Sequence, residues 1–387
     1  MRVLFWAELF WPYIGGVEVL SADLLEELLA RGHEFRVVTS HDNLDLPDLD
    51  HWKGIPIHRL RFREPMQTRD PAAIMRVREQ VRKVKQQFRP DIVHLNLSGP
   101  SAFYHLATAA VRPYPWIAAI HRMLPRPGAI QADSLTARVL HAADWVTSVS
   151  HSVQSTVLNL APDVSSRCSV IYNGLKPPVE SRAQPADPPH LLCVCRLLRC
   201  KGIDVALRAL SLLLPRFPSL RLLVAGDGPA RAELEDQAAL LGLENAFSLI
   251  GLVSPTDIPG LMSRASLVVV PSRDEEGFGL VALEAAFAER PAIASRVGGL
   301  PEVVLDGETG LTVPPEDPEA LAEAIASLLQ DRSRAAALGA AARARALKDF
   351  SASRVADEYE TLYERLTRRP AVQGSRESAR QATGSRS

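Results

Sequence analysis

Pro271-Ser-Arg-Asp-Glu-Glu-Gly-Phe-Gly-Leu-Val-Ala-Leu-Glu284 joins the apolar run Leu267 to Val270 to an Ala-rich segment, an order that predicts strand, loop and helix N-terminus. Gly277 and Gly279 free the backbone to turn tightly there. The exposed N–H groups of a helix start, helped by the helix dipole, favour an anion, and phosphate is the natural one. Glu276 lies in the loop and Glu284 about two turns into the helix, so both can face one crevice. Carboxylates are poor partners for phosphate but good acceptors for hydroxyl groups. The combination points to a ligand carrying both, as a nucleotide sugar does; a solvated acidic loop before an ordinary helix is the plainer alternative.

With 387 residues, the chain is long enough for two domains of ordinary size. A net charge of −1 and 47% apolar residues give no sign of nucleic-acid binding or of global disorder. Cys168, Cys193, Cys195 and Cys200 offer little: Cys193 and Cys195 alternate within an apolar run with neither zinc-ribbon nor CxxC spacing, and read as buried thiols in a reducing compartment. The apolar runs fall short of a bilayer span and the N-terminus opens on a strand-like segment, so a cytoplasmic protein is expected.

In the first half, Val3 to Glu8 reads as a strand, and the loop after it carries Gly15-Gly16-Val-Glu18 into a helix. Gly15 and Gly16 thus fall at the carboxyl end of a strand, where open parallel sheets bind ligands; a tight structural turn would need the same residues. Phe35 to Ser40, Asp91 to Leu95 and Trp116 to Ile120 read as further strands. The last delivers His121, either to a ligand or as a cap on the turn. Residues 59–89 hold ten Lys and Arg against three acidic residues. There Ile74, Val77, Val81, Val84 and Phe88 form one helical stripe, with Arg76, Arg78, Arg82, Lys83 and Lys85 mostly outside it. A basic solvent face is expected, which could also touch an anionic membrane at its inner surface. Asp144 to Ser150 and Ser169 to Tyr172 are strands, the second running into Asn173-Gly174. Five prolines between Lys176 and Pro189 mark a linker.

The second half repeats the strand-then-helix alternation, which argues for a second doubly wound sheet. After the strand His190 to Cys195, Arg196 and Lys201 lie five apart in a loop, either converging on a diphosphate or standing as two surface cations. Gly226-Asp-Gly-Pro-Ala-Arg231 is an imperfect dinucleotide fingerprint, because Arg231 occupies the third glycine position. The end of the strand Phe247 to Gly251, at Ile250 and Gly251, is a place where a nucleotide base could sit. Gly298-Gly-Leu-Pro-Glu302 is another glycine loop before a helix, and Ser353 to Leu366 is a helical pattern that can cross back to the first half.

Taken in order, Gly15-Gly16-Val-Glu18, His121, Asn173-Gly174, Arg196-Leu-x-x-x-Lys201-Gly202, Gly226-Asp-Gly-Pro229, Glu276-Gly-Phe-Gly-Leu-x-x-x-Glu284 and Gly298-Gly-x-Pro-Glu302 resemble the retaining glycosyltransferases of family 4, which have the GT-B fold. The resemblance spans about residues 1 to 366. It implies an α/β protein with two Rossmann-like doubly wound domains facing across a cleft. An acceptor-side domain is expected over 1–175, a linker over 176–189 and a nucleotide-sugar-binding domain over 190–350. A helix over 351–368 would return to the first domain, and a disordered tail would follow over 369–387.

By the same resemblance, Arg196 and Lys201 neutralise the diphosphate leaving group in place of a metal, so no metal and no cofactor beyond the nucleotide-sugar co-substrate is expected. Glu276 and the amides of Gly277, Phe278, Gly279 and Leu280 would hold the donor sugar and phosphate, and Glu284 the ribose. Gly15, Gly16, Asn173 and Gly226 would line the donor site, and His121 would meet the sugar at its reacting face. A hexose would pass to a hydroxyl of a sugar, polysaccharide or lipid-linked acceptor. The alternatives are a non-catalytic nucleotide-sugar-binding scaffold and an NAD-dependent enzyme, the latter disfavoured by Arg231.

Overall fold

The computed structural model describes residues 1–13, 15–41, 45–97, 99–109, 114–125, 134–178, 186–274 and 276–368. Its first half holds β1 Arg2–Trp6, α1 Gly16–Ala30, β2 Glu34–Ser40, β3 Leu49–Trp52, β4 Ile55–Leu60, α2 Arg63–Gln67, α3 Pro71–Phe88 and β5 Ile92–Asn96. There follow α4 Ser101–Ala107, β6 Trp116–Ile120, α5 Leu135–Ala142, β7 Trp145–Ser148, α6 His151–Leu160 and β8 Cys168–Val170. These strands make one eight-stranded sheet in the order β3-β4-β2-β1-β5-β6-β7-β8, parallel except for the edge pair β3 and β4.

The second half begins with β9 His190–Val194, α7 Ile203–Leu213, β10 Arg221–Ala225, α8 Arg231–Leu240, β11 Phe247–Gly251, α9 Ile258–Arg264 and β12 Leu267–Val270. It continues through α10 Leu280–Phe287, β13 Ala292–Ser295, α11 Leu300–Val303, β14 Gly310–Val313, α12 Pro318–Gln330, α13 Arg332–Asp349 and α14 Ala352–Thr367. Its sheet is six-stranded and parallel, in the order β11-β10-β9-β12-β13-β14. Each central strand is apolar along its length because helices cover both faces of the sheet, as in Val3 to Trp6 and Leu267 to Val270.

The strand order reverses beside β1 in the first sheet and beside β9 in the second, which opens a crevice at the carboxyl ends of both. The two crevices face each other. Ser150, the N-cap of α6, donates its hydroxyl to the Gly277 carbonyl at 2.7 Å. The first two amides of α6, His151 and Ser152, donate to the Glu302 carboxylate of the second half at 2.9 Å each. α14 packs back on α1, and its Tyr359 and Tyr363 are buried in the first half's core.

Two expectations need correction here. Lys85 does not belong to the solvent face of α3: its ammonium is buried beneath α4, donating to Thr108 Oγ1 at 2.9 Å and to the His105 carbonyl at 3.3 Å. A long aliphatic stem let it count as outside the apolar stripe while the helix rotated it inward. Elsewhere on α3, Arg78 donates to the Ala107 carbonyl and keeps its charge, and Arg82 pairs with Glu79. Cys195 is not a buried strand residue: β9 ends at Val194, and the half-buried thiol lies beyond it. The tail over 369–387, most of the 176–189 linker's middle and Glu275 lie outside the described residues. Among the described residues, no helix is long and apolar enough to cross a membrane.

Candidate active site

The loop after β12 is pinned before it reaches the crevice. Arg273 donates to Asp204 at 2.7 Å and to Glu316 at 2.7 Å, tying the loop to α7 and to the turn ahead of α12. Gly279 then caps α10 at φ 110°, a conformation that side chains other than glycine resist. Gly277 passes so close to the first half that a Cβ there would lie 2.7 Å from the His121 carbonyl oxygen. The result aims the first amides of α10 into the cleft between the halves.

That cleft has two lobes of about 450 Å³ and 410 Å³, within the range of small-molecule sites. The first lobe is lined by His121, Asn173, Lys201, Glu276, Gly277, Phe278 and Gly279. The second is lined by Gly226, Asp227, Leu252, Val253, Ile258 and Glu284. Gly15, Gly16, Arg196 and Leu280 line both, so the waist between the lobes carries one guanidinium, two glycines and the start of α10. Arg196 is exposed and its side chain makes no hydrogen bond or ion pair among the described residues.

In the first lobe, Glu276 Oε2 accepts from Lys201 Nζ at 2.7 Å and from the buried Ser272 hydroxyl at 3.0 Å. Burial alone would pull the Lys201 ammonium down, but the charge of Glu276 and its hydrogen bond outweigh it, and the pKa stands above its ordinary value. Lys201 is therefore engaged with Glu276 rather than standing beside Arg196 as a second free cation. His121 Nε2 lies 3.1 Å from Asn96 Oδ1, and burial lowers the pKa of the ring to about 4, so it is neutral near pH 7. In the second lobe, the Glu284 carboxyl makes no hydrogen bond among the described residues, and burial raises its pKa to about 7.

Of the sequence-derived site residues, Gly15, Gly16, His121, Asn173, Arg196, Lys201, Gly226, Glu276, Gly277, Phe278, Gly279, Leu280 and Glu284 meet in this one cleft. Ile250 and Gly251 do not. Ile250 projects from the edge strand at 41% exposure, and the Gly251 carbonyl is taken by the Gly226 amide at 2.7 Å. The chain enters the cleft one and two residues later, at Leu252 and Val253, because the bulge between β10 and β11 shifts the register at Ala225. Sequence reasoning also passed over Ser272, four residues before Glu276, and Asn96, one residue beyond the expected end of β5. Glu18 joins the first lobe as well. Its carboxylate lines the first lobe against Gly15, and burial raises its pKa. Among the described residues, no group of three or more His, Cys, Asp and Glu side chains could hold a metal ion.

Comparison with known proteins agrees with this architecture. Residues 14–177 match the model described as Glycosyltransferase Family 4, and residues 179–345 the one described as Glycosyl transferases group 1. The glycogen synthase of Mycobacterium tuberculosis is 30% identical over 292 residues, covering 72% of this chain and 69% of that one. The sucrose-phosphate synthase of Thermosynechococcus elongatus superposes with a TM-score of 0.80 at 24% identity, over 94% of this chain and 98% of that one. Anabaena HepE, solved with UDP and glucose, superposes with a TM-score of 0.77 at 21% identity, over 95% and 100% of the respective chains. Two facing doubly wound domains, matched along both halves by these models and relatives, mean that the chain belongs to the family 4 glycosyltransferases, sugar-transferring enzymes of the GT-B fold.

Proposed function

We propose that the chain transfers a hexose, with retention and without a metal, from a nucleoside diphosphate sugar to a hydroxyl of a sugar, polysaccharide or lipid-linked acceptor. The observation that carries this reading is the waist of the cleft. A free guanidinium and a helix N-terminus meet there between a lobe rich in sugar-type partners and a lobe with one unpaired carboxyl. A diphosphate at the waist would put the hexose beside Glu276, Asn173 and His121, and the ribose beside Glu284. Leu252, Val253 and Ile258 offer apolar contact to a base. The UDP and glucose bound by Anabaena HepE, a protein of the same fold, support a donor of this class.

In this arrangement Arg196 and the α10 amides stabilise the charge that develops on the leaving phosphate, the part a divalent ion plays elsewhere. Lys201 can reach the same phosphate while it keeps Glu276 oriented. The carboxylate nearest the sugar, Glu276, is committed to Lys201 and Ser272, which argues against a covalent nucleophile. Same-face displacement, with the departing phosphate taking the acceptor's proton, then accounts for retention.

The reading is tested by incubating the enzyme in EDTA with UDP-, GDP- and ADP-hexoses and following the anomeric proton by NMR. One donor should be consumed, with the α configuration kept in the product or in the slowly hydrolysed sugar. That donor should also stabilise the protein by about 2.7 kcal/mol at 100 times its Kd. Inverted product, or activity that EDTA removes and Mg²⁺ or Mn²⁺ restores, would overturn the mechanism. Consumption of none of the donors would overturn the function.

A further inference from the structure

Gly277 passes the first half too closely for a side chain, and the same lack of a Cβ makes its loop easy to misset. The peptide between Gly277 and Phe278 can rotate at little cost, which would exchange its N–H for its carbonyl on the cleft side. That carbonyl is held from the other half of the molecule. The Ser150 hydroxyl, fully buried, donates its one proton to the Gly277 carbonyl at 2.7 Å and accepts from the Val153 amide of α6 at 3.0 Å. The preceding peptide is held as well, since the Glu276 carbonyl accepts from the Gly299 amide at 2.9 Å.

A trans peptide carries its N–H opposite its carbonyl. With the Gly277 carbonyl drawn to Ser150, the Phe278 N–H is turned away from α6, in a loop that lines the first lobe, and it has no partner among the described residues. Neither do the amides of Gly277 and Gly279. Ser150 is itself set in place by the second half. The Glu302 carboxylate accepts from the next two amides, His151 and Ser152, at 2.9 Å each, which places an anion at the N-terminus of a ten-residue helix. Glu302 and Val303 are anchored in turn through their carbonyls, each of which accepts from the Arg345 guanidinium at 2.7 Å.

We propose that Ser150, seated by Glu302, is a positioning residue that locks the Gly277–Phe278 peptide with its N–H toward the first lobe, so that the diphosphate of a donor meets a hydrogen-bond donor and not a carbonyl oxygen. The proposal rests on the donor-site reading above for the identity of the anion, but not for the orientation of the peptide. Ser150 is wholly buried and acts through Gly277 alone. The lock is supplied by the first half of the chain to a loop of the second, so the anion site is complete only while α6 is docked. A loop flanked by Gly277 and Gly279 thereby gains the rigidity that its own side chains do not provide, and keeps the close approach to His121 that glycine allows.

Protein labelled with ¹⁵N-phenylalanine and titrated with inorganic diphosphate in EDTA reads the lock through one amide. The Phe278 resonance, assigned by its loss in Phe278→Leu, should move downfield and saturate; a Phe278 amide that stays put throughout the titration overturns the proposal. Ser150→Gly keeps a residue tolerated at a helix N-cap but removes the hydroxyl, so it should abolish most of that shift and weaken diphosphate binding roughly tenfold, with kcat falling to a similar degree. Ser150→Thr restores the hydroxyl and should recover the Phe278 response. Glu302→Gln leaves one of the two α6 amides facing an NH₂ group and should reproduce the Ser150→Gly spectrum with a smaller loss of affinity. Because both changes release the same peptide, the double variant should bind diphosphate no more weakly than Ser150→Gly alone. Additive losses of affinity, or a Ser150→Gly protein with the parent Phe278 shift, would overturn the role given to Ser150 and Glu302. If the Phe278 shifts come out as expected while no nucleotide sugar is consumed, the lock stands and the functional reading fails by itself.

Discussion

Glu276 and Glu284 belong to one loop and one helix, yet the structure treats their carboxylates in opposite ways. Glu276, before α10, is met by Lys201 and Ser272. Glu284, in the second turn of α10, is met by nothing among the described residues, and burial raises its pKa to about 7. A partnered carboxylate holds its charge and its orientation before any ligand arrives. An unpartnered one in a crevice is held at a desolvation cost that a ligand's hydroxyl groups can offset. The first arrangement suits transition-state work, and the second suits recognition, with part of its stabilisation released only on binding.

The sharpest way to break this contrast is to remove the partner. Lys201→Ala should lower kcat on the order of 10²–10³-fold, since it strips a cation from the leaving phosphate and frees Glu276 to swing. Glu276→Ala should lower kcat to a similar degree while affinity for the free nucleoside diphosphate stays nearly unchanged, because Arg196, Lys201 and the α10 amides remain in place. In a double-mutant cycle the two changes should be far from additive. Additive losses would mean that the 2.7 Å pair is a surface feature without a catalytic task.

Glu284→Ala should act on binding instead. Hydrogen bonds to a charged acceptor contribute about 1.5–3 kcal/mol each, less the work of ionising a group whose pKa stands near 7, so donor affinity should drop roughly tenfold to a hundredfold. Turnover at saturating donor should change little. If kcat falls and affinity does not, the roles of the two carboxylates are reversed.

The pH dependence sharpens the same point. Glu284 is protonated below about pH 7 in the free protein and ionised above it. A ribose that needs the carboxylate should therefore bind roughly tenfold more weakly at pH 6 than at pH 8. Calorimetry with an intact, non-hydrolysable nucleotide sugar avoids the titration of a terminal phosphate. Glu284→Gln should flatten the profile, and a parent profile flat from pH 6 to pH 8 would rule out an ionised Glu284 in the complex.

Much of this was legible in the chain because it is local. Strand, glycine loop and helix start follow one another within Leu267 to Glu284, and the apolar runs of the central strands need no distant partner to be seen. What escaped was set by tertiary packing or by weak pattern. α13 is built on alanines, which favour a helix but mark no face. The hairpin of β3 and β4 is an exposed edge with a proline in it, and its turn signal is only Lys53-Gly54, both at positive φ. The Asn96–Ser21 bond joins residues 75 apart, and Lys85 meets Thr108 across 23. No spacing rule reaches such pairs. The misplacement of Ile250 and Gly251 is a register shift of a residue or two at a bulge, the least predictable feature of a strand end.

The smallest effect is on stability, and it carries the comparison in its sign. The folded pKa of Glu284 stands above its ordinary value of 4.5, so folding disfavours ionising it. Its contribution to stability is least harmful below about pH 4.5, worsens as pH rises toward 7, and is fully unfavourable above that. Glu284→Gln removes the charge and should gain about 1–3 kcal/mol at pH 8, discounted because the carboxyl still touches the open cleft. That corresponds to a rise in Tm of roughly 2–6 °C that shrinks toward zero near pH 4.5. Glu276→Gln should do the reverse at pH 8, losing about 1 kcal/mol because Lys201 is left beside a neutral partner. Saturating donor should close the gap between the Glu284→Gln and parent proteins, since only the parent gains the charged bonds to ribose. Melting curves of the three proteins at pH 5 and pH 8, with and without donor, decide the matter. If Glu284→Gln destabilises at pH 8, that carboxyl has a partner in solution, and the recognition role assigned to the second lobe falls with it.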